Sequence, residues 1–271
     1  MSAKSILFDA TKCIGCRGCQ VACKQWNGLQ AVVTSNRGTY ENPPDLSPDT
    51  WLTIRFSEGD EDDSTGWSFI RNSCMHCTDA ACVAVCPSGA LFHNEYGIVS
   101  YDKEKCIGCG YCAEFCPFNI PRLGVDPAIN ADRMNKCTMC TSPGLDRIAM
   151  GLEPACVKTC PTQALIFGDR DKLIAQGREV VSSLNSAHPN SQPQARLYGE
   201  TELGGLHVLY VLADSPETYN LPPEPEFPAA ATIQRDVFRP FAWIVWAAVA
   251  AGLALNVIVA RARQIHSRES K

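Results

Sequence analysis

Apolar and polar positions change their period several times along the chain, and each change predicts an element. Residues 51–56 alternate apolar with polar side chains, and residues 67–70 resemble a partner strand. Residues 90–101 read as a strand-like stretch, carried by Leu91 and His93 and then by Ile98 and Val99. Residues 206–212 form a clear strand, while residues 170–184 have amphipathic helical spacing and stop before the polar stretch 185–194. Residues 241–260 hold no charge, with Gly252 and Asn256 as the only interruptions. At 1.5 Å per residue this run reaches about 30 Å, the thickness of a bilayer's hydrocarbon core. Trp243 and Trp246 near one end suit a membrane interface. A buried core helix is the alternative, but charged flanks and the proline-rich chain of residues 215–228 favour an anchor.

Charge and composition narrow the function. A net charge of −5 offers no basic surface, so nucleic acid is not an expected partner. The acidic run at residues 58–63 reads as a solvated loop. The abnormal feature is the sixteen cysteines among 271 residues. Such density belongs to disulfide scaffolds, zinc proteins or iron–sulfur proteins. Disulfide scaffolds are small and poor in core, and this chain is neither. Residues 1–30 contain no apolar segment of the kind a secretory leader needs.

The cysteines fall into four groups of four: Cys13, Cys16, Cys19 and Cys23; Cys74, Cys77, Cys82 and Cys86; Cys106, Cys109, Cys112 and Cys116; Cys137, Cys140, Cys156 and Cys160. The third reads C-x2-C-x2-C-x3-C-P, and the first shares its spacing with Lys24 in place of proline. That run is the iron-ligating signature of two-cluster ferredoxins, in which the fourth cysteine serves the other cluster. Zinc takes separated pairs and has no use for three thiolates in one tight loop. Gly15, Gly18, Gly108 and Gly110 are expected to let the backbone bend close to the metal, with Ile14 and Ile107 as shields from water. His76, His93 and His207 read as structural, because cysteines already complete the ligand sets.

Crossing predicts four 4Fe–4S clusters, all sixteen cysteines being iron ligands. Cys13, Cys16 and Cys19 take Cys160; Cys137, Cys140 and Cys156 take Cys23. Cys106, Cys109 and Cys112 take Cys86; Cys74, Cys77 and Cys82 take Cys116. The expected fold is α+β, with two ferredoxin-like 4Fe–4S modules, one inserted in the other, and a single C-terminal transmembrane helix. Residues 1–73 and 132–214 make the outer module and residues 74–131 the inserted one. Residues 215–234 form a proline-rich linker, and residues 235–271 an anchor with a basic tail. Arg261, Arg263, Arg268 and Lys271 follow the span, against Arg235 and Arg239 before it. The excess predicts a cytoplasmic C-terminus, with the iron–sulfur domain on the periplasmic face of the cell membrane. No catalytic residue is expected, since no glycine-rich nucleotide loop or Ser/His/Asp set is present.

Residues 13–27 (CIGCRGCQVACKQWN), 41–58 (ENPPDLSPDTWLTIRFSE), 106–123 (CIGCGYCAEFCPFNIPRL) and 153–168 (EPACVKTCPTQALIFG) resemble the iron–sulfur subunit of membrane-bound formate dehydrogenase. Residues 204–212 and the single C-terminal span are similar too. The resemblance implies an electron-transfer subunit that is not itself an enzyme. Its implied partners are a catalytic subunit with a molybdenum or tungsten pterin, a membrane cytochrome b that reduces quinone, and the lipid bilayer. It also implies export together with the catalytic subunit, which carries the leader. The alternative is an equivalent relay subunit of a hydrogenase or a sulfur-compound reductase.

Overall fold

Short apolar runs that are covered on both faces, rather than long alternations, build the central sheet. The computed structural model describes residues 2–58 and 66–269. Most of the acidic run at residues 58–63 therefore lies outside the described residues. The chain divides into two units, Met1–Phe227 and Pro228–Lys271.

The first unit begins with β1 (Lys4–Asp9), α1 (Gly18–Trp26), β2 (Thr53–Glu58), β3 (Trp67–Asn72) and α2 (Ala81–Ala84). It continues with β4 (Leu91–His93), β5 (Val99–Tyr101), α3 (Tyr111–Glu114), β6 (Arg122–Asp126), β7 (Ala131–Asn135), β8 (Thr141–Ser142) and β9 (Leu145–Asp146). It closes with α4 (Ala155–Lys158), β10 (Leu165–Asp169), α5 (Arg170–Ala187), β11 (Arg196–Tyr198) and β12 (Val208–Leu212).

The main sheet has the order β10-β1-β12-β11, with β1 antiparallel to β10 and parallel to β12. Side chains alternate across it, as the strand period requires. Leu7, Leu209 and Val211 face α5, where they pack with Leu173, Ile174 and Val181. Ile6, Phe8, Val208 and Tyr210 face the other way, into the core that also holds Cys19, Cys23, Cys74, Cys137 and Cys156. One face of the sheet thus carries a helix and the other faces the cysteines.

The remaining strands are local pairs. β2 and β3 form the hairpin expected from their alternation, with Ile54 opposite Arg71 and Arg55 opposite Ile70. The stretch 90–101 is a hairpin and not a single strand, because Asn94 turns it: its side-chain oxygen accepts from the N–H groups of Tyr96 and Ile98. Gly97 completes the turn at φ +79°. Proline-rich composition does not leave residues 216–222 hanging free: Tyr219 and Leu221 are buried, and Tyr198 donates its hydroxyl to the Pro222 carbonyl at 2.8 Å.

The second unit holds α6 (Ala229–Ile233), a wider π-helical turn at Gln234–Phe238, and α7 (Arg239–Glu269). Within α7 the residues Ile244–Arg261 are long and apolar enough to cross a membrane, and none of that window is buried in protein.

Leu209 sits at 0% exposure between β1, β11 and α5. Leu209→Ala is expected to destabilise the first unit by about 2–5 kcal/mol through lost burial and a cavity. Thermal or denaturant unfolding of the loaded protein measures this, and an unchanged midpoint would show that the sheet–helix seam is not a main support.

Candidate metal centres

Each cysteine group opens with Cys-x-x-Cys, and the residue just before the second cysteine always has a positive φ: Gly15 (64°), His76 (51°), Gly108 (70°) and Met139 (52°). That conformation turns the residue's own N–H back onto the first sulfur. Gly15 donates to Cys13, His76 to Cys74, Gly108 to Cys106, and Met139 to Cys137 at 3.3 Å. Two groups prepare the bend with glycine; the other two hold an L-residue there at a cost of roughly 1–2 kcal/mol each. A Cβ at Gly108 would lie 2.3 Å from the main-chain oxygen of Asp132. Gly18 differs from the expectation. It starts α1 with no positive φ, and its neighbours begin at 3.7 Å, so α1 needs no glycine there. The left-handed residue is Arg17 (61°), which matches Gly110 (81°) and lays its guanidinium 4.8 Å above the Phe56 ring.

The third cysteine of each group rides on a short helix. α2, α3 and α4 stop after about one turn, just ahead of Cys86-Pro87, Cys116-Pro117 and Cys160-Pro161. In the first group Lys24 replaces the proline, and α1 runs on to Trp26. Beyond each proline a left-handed residue turns the chain: Gly89, Asn119 and Gln163.

The thiols meet across the groups. Cys13, Cys16, Cys19 and Cys160 line one small hollow, with Ile14, Phe8 and Ile54 around them. Cys86, Cys106, Cys109 and Cys112 line a second, with Ile107, Leu91 and Met134. The matched linings, three cysteines of one group with the last of another and an isoleucine after the first, mark them as equivalent sites. Ile14 and Ile107 line these hollows while staying 60% and 67% exposed, so they cover the mouths. Burial pushes the Cys23 thiol well up, reinforced by Cys137, Cys156 and Cys140. Burial likewise raises Cys77, whose thiol neighbours are Cys74, Cys82 and Cys116. Charge on one thiol also raises its counterpart in the next set: Cys156 acts on Cys19, Cys137 on Cys74 and Cys112 on Cys82.

The first and fourth groups repeat the construction of the third and second. Asp102 caps a short 3-10 turn before Cys106, accepting from the Glu104 N–H, and donates its own N–H to the Ala90 carbonyl at 2.8 Å. Asp9 caps the turn before Cys13, accepting from Thr11, and donates to the Ala164 carbonyl at 2.8 Å. Lys105 pairs with Asp102 as Lys12 pairs with Asp9. Ser88 and Thr162, two residues past Cys86 and Cys160, put hydroxyls 3.7 and 3.8 Å from those sulfurs.

The fourth group's long gap is closed by Arg147. Its N–H reaches the Cys140 carbonyl at 2.9 Å, its Nε reaches the Glu153 carbonyl at 2.7 Å, and its guanidinium stacks on Trp26 of α1 at 4.4 Å. Cys156 is thereby carried back to Cys140 and Cys23. The histidines take main-chain partners: His207 donates Nδ1–H to the Lys4 carbonyl at 2.7 Å, and His93 donates Nε2–H to the Cys77 carbonyl at 3.0 Å. His76 donates Nδ1–H to the Val99 carbonyl at 3.2 Å.

All sixteen thiols are free of disulfides. Among the described residues, no three Cys, His, Asp or Glu side chains converge where a single metal ion would bind. A tetrahedral zinc draws its sulfurs to about 2.3 Å, so these thiols, spread around a hollow, fit a polynuclear group better. Sequence reading missed two buried cations beside them, Arg71 and Lys136, each 1% exposed. Arg71 Nη2 lies 3.8 Å from Cys137 Sγ, while its Nε and Nη1 meet no acceptor in the protein. Orphaned donors of this kind, aimed among thiols, fit an anionic iron–sulfide group.

Gly108→Ala is expected to lower bound iron and acid-labile sulfide, because a Cβ there meets backbone. Gly18→Ala is expected to leave both at the wild-type level. Equal iron content in the two variants would refute this reading of the loops.

Residues 65–170 and residues 12–90 each match a family described as a 4Fe-4S dicluster domain. The formate dehydrogenase-O iron-sulfur subunit of Escherichia coli (strain K12) is 42% identical over 93% of this chain and 82% of its own length. The formate dehydrogenase iron-sulfur subunit of Haemophilus influenzae is 42% identical over 92% of this chain and 77% of its own. The hydrogenase-2 operon protein HybA of Escherichia coli O157:H7 is 33% identical over 80% of this chain and 72% of its own. Identity of that order along nearly the whole length, on top of the repeated cysteine loops, settles kinship: the chain belongs to the formate dehydrogenase iron–sulfur subunits, which transfer electrons and are not the catalytic members of their complexes.

Proposed function

We propose that the chain is a four-cluster relay. It carries electrons from a formate-oxidising subunit, with a molybdenum or tungsten pterin, to a membrane cytochrome b that reduces quinone. The observation that supports the reading is the pair of hollows lined across the groups, one by Cys13, Cys16, Cys19 and Cys160 and the other by Cys86, Cys106, Cys109 and Cys112. Cys13, Cys16, Cys19 and Cys160 hold the first cluster, and Cys23, Cys137, Cys140 and Cys156 the second. Cys74, Cys77, Cys82 and Cys116 hold the third, and Cys86, Cys106, Cys109 and Cys112 the fourth. Neighbouring sets lie within electrostatic reach of one another, as Cys156 raises Cys19, Cys137 raises Cys74 and Cys112 raises Cys82, which suits a relay in that order. A 4Fe–4S cluster, when bound, takes up a single electron and passes it on, at a potential its surroundings set.

The protein's part is to hold and insulate. At the two ends Cys16 and Cys109 are exposed, so partners approach there, while all four cysteines of the second set are buried. Equivalent caps at Asp9 and Asp102 support a nested arrangement. In it residues 74–131 form a module inserted in one built from residues 1–73 and 132–214. The span in α7 serves as a bilayer anchor. Basic residues after it favour a cytoplasmic C-terminus and an iron–sulfur domain on the periplasmic side. A relay for a hydrogenase is the second reading, raised by the likeness to HybA. Higher identity and coverage favour formate, and the large subunit that co-purifies decides between them.

Anaerobically purified protein is expected to contain four irons and four sulfides for each of four clusters, with sixteen cysteines as ligands. Cys116→Ser is expected to perturb the cluster on Cys74, Cys77 and Cys82 and to spare that on Cys106, Cys109 and Cys112. Half the iron in the parent, or perturbation of the Cys106 cluster in the variant, would refute the partition. For sidedness, protease added to cells with opened outer layers is expected to digest the iron–sulfur domain; a domain protected in those cells until the inner membrane is lysed would be cytoplasmic and would reverse the orientation.

A further inference from the structure

Buried charge is costly unless an opposite charge meets it, and the usual partner of a buried arginine or lysine is a carboxylate. Arg71 and Lys136 are both 1% exposed. Neither forms an ion pair with a carboxylate among the described residues. Arg71 lies beside the Tyr210 hydroxyl and the thiols of Cys137 and Cys156, and Lys136 lies beside backbone carbonyls and thiols. Arg71 is held at the end of β3, where Tyr210 donates its hydroxyl to the Arg71 carbonyl at 3.0 Å. Nη2 lies 3.8 Å from Cys137 Sγ, and Nε and Nη1 meet no protein acceptor. The charge also reaches Cys19, Cys23, Cys74 and Cys156. Lys136 precedes Cys137, and its Nζ donates to the carbonyls of Val99 at 2.6 Å and Cys137 at 2.9 Å. Those neutral acceptors fix the ammonium in place without cancelling it. The Val99 carbonyl also accepts Nδ1–H of His76 at 3.2 Å, so the ammonium sits beside the loop whose His76 N–H meets Cys74, and its charge acts on Cys74, Cys82 and Cys116.

Four thiolates outweigh the positive charge of a 4Fe–4S core, so the loaded site is anionic and becomes more so on reduction. A fixed cation beside it therefore stabilises the reduced form more than the oxidised one, and the reduction potential rises. Resting on the four-cluster reading, we infer that Arg71 and Lys136 are positioning charges that raise the potentials of the two inner clusters. Arg71 acts on the cluster of Cys23, Cys137, Cys140 and Cys156, and Lys136 on that of Cys74, Cys77, Cys82 and Cys116. Their role is electrostatic, and neither is an iron ligand.

The test is a redox titration, followed by electron paramagnetic resonance, of the full-length loaded protein and its variants. Iron content is measured first. A parent well short of four clusters defeats the four-cluster reading itself, whatever the variants do. With iron retained, Arg71→Met is expected to shift one cluster's midpoint to lower potential, and Lys136→Met to shift a different one. Arg71→Lys and Lys136→Arg should return most of each shift. Unmoved or raised potentials at full iron content overturn the inference. If the methionine variants fail to load, Arg71→Gln and Lys136→Gln decide. Each keeps a polar donor but removes the charge, so its cluster must fall in potential. An unmoved midpoint in a loaded glutamine variant overturns the inference too.

Discussion

Thiols packed this closely in a protein interior resist ionising, and the first unit is organised around that resistance. Burial pushes Cys19, Cys112 and Cys140 up to about 12 and Cys116 up to about 11, with neighbouring thiols adding to the rise in all four. Left to themselves such groups stay protonated at neutral pH. An iron–sulfur cluster needs them as thiolates, so its assembly expels their protons and its binding energy becomes folding energy for the loops. Counter-measures are built in at short range: a backbone N–H onto the first sulfur of every group, a Met134 N–H onto Cys106 at 3.5 Å, and buried cations where burial is deepest.

Because one physical problem recurs four times, one loop recurs four times, and its chemistry is conserved where its sequence is not. The positive φ before the second cysteine survives the change from glycine to His76 and Met139. A proline-terminated turn survives in three groups, and α1 shows what its absence does, extending to Trp26. The extra chain between Cys140 and Cys156 is tolerated because Arg147 ties its two ends and braces it on that same Trp26. Here the extension of α1 and the insertion in the fourth group support each other, one supplying the ring on which the other rests.

Much of this was readable in advance, for a definite reason. Cysteine spacing reports ligand geometry directly, so every thiol that lines the two hollows was nominated from its position. Alternation revealed β2 and with it the partner β3, the long apolar run at residues 206–212 revealed β12, and helical spacing revealed α5, whose observed end at Ala187 lies only a little past the expected one. β1 and β10 were missed because Ile6, Leu7 and Phe8, like Leu165, Ile166 and Phe167, are unbroken apolar runs. Such runs carry no period when both faces are covered. A signal was available: Asp9 and Lys12 precede Cys13 as Asp102 and Lys105 precede Cys106. The turn at Asn94 and Gly97 inside residues 90–101 was also visible and was read through. Arg71 was hidden for a different reason. In an alternating strand a charged residue reads as the solvent face, yet Arg71 points inward beside Ile70, which is buried as well.

The contrast between the ends of the proposed relay and its middle follows from the same electrostatics. An exposed anionic cluster is stabilised by water, and Cys16 and Cys109 are exposed. A buried one loses that solvation, which disfavours the added electron and would by itself drop the inner potentials below those at the ends. Two inner sites so lowered would stand as a barrier between two outer ones. Arg71 and Lys136 act against that drop at the sites where water is excluded, replacing mobile solvent dipoles with fixed charges that need no reorganisation as the electron arrives. The price is a pair of buried cations that pair with no carboxylate among the described residues. A chain that never binds iron must then bury Arg71 and Lys136 among neutral thiols. The arrangement that eases transfer through the middle therefore also ties the stability of the core to the presence of the clusters.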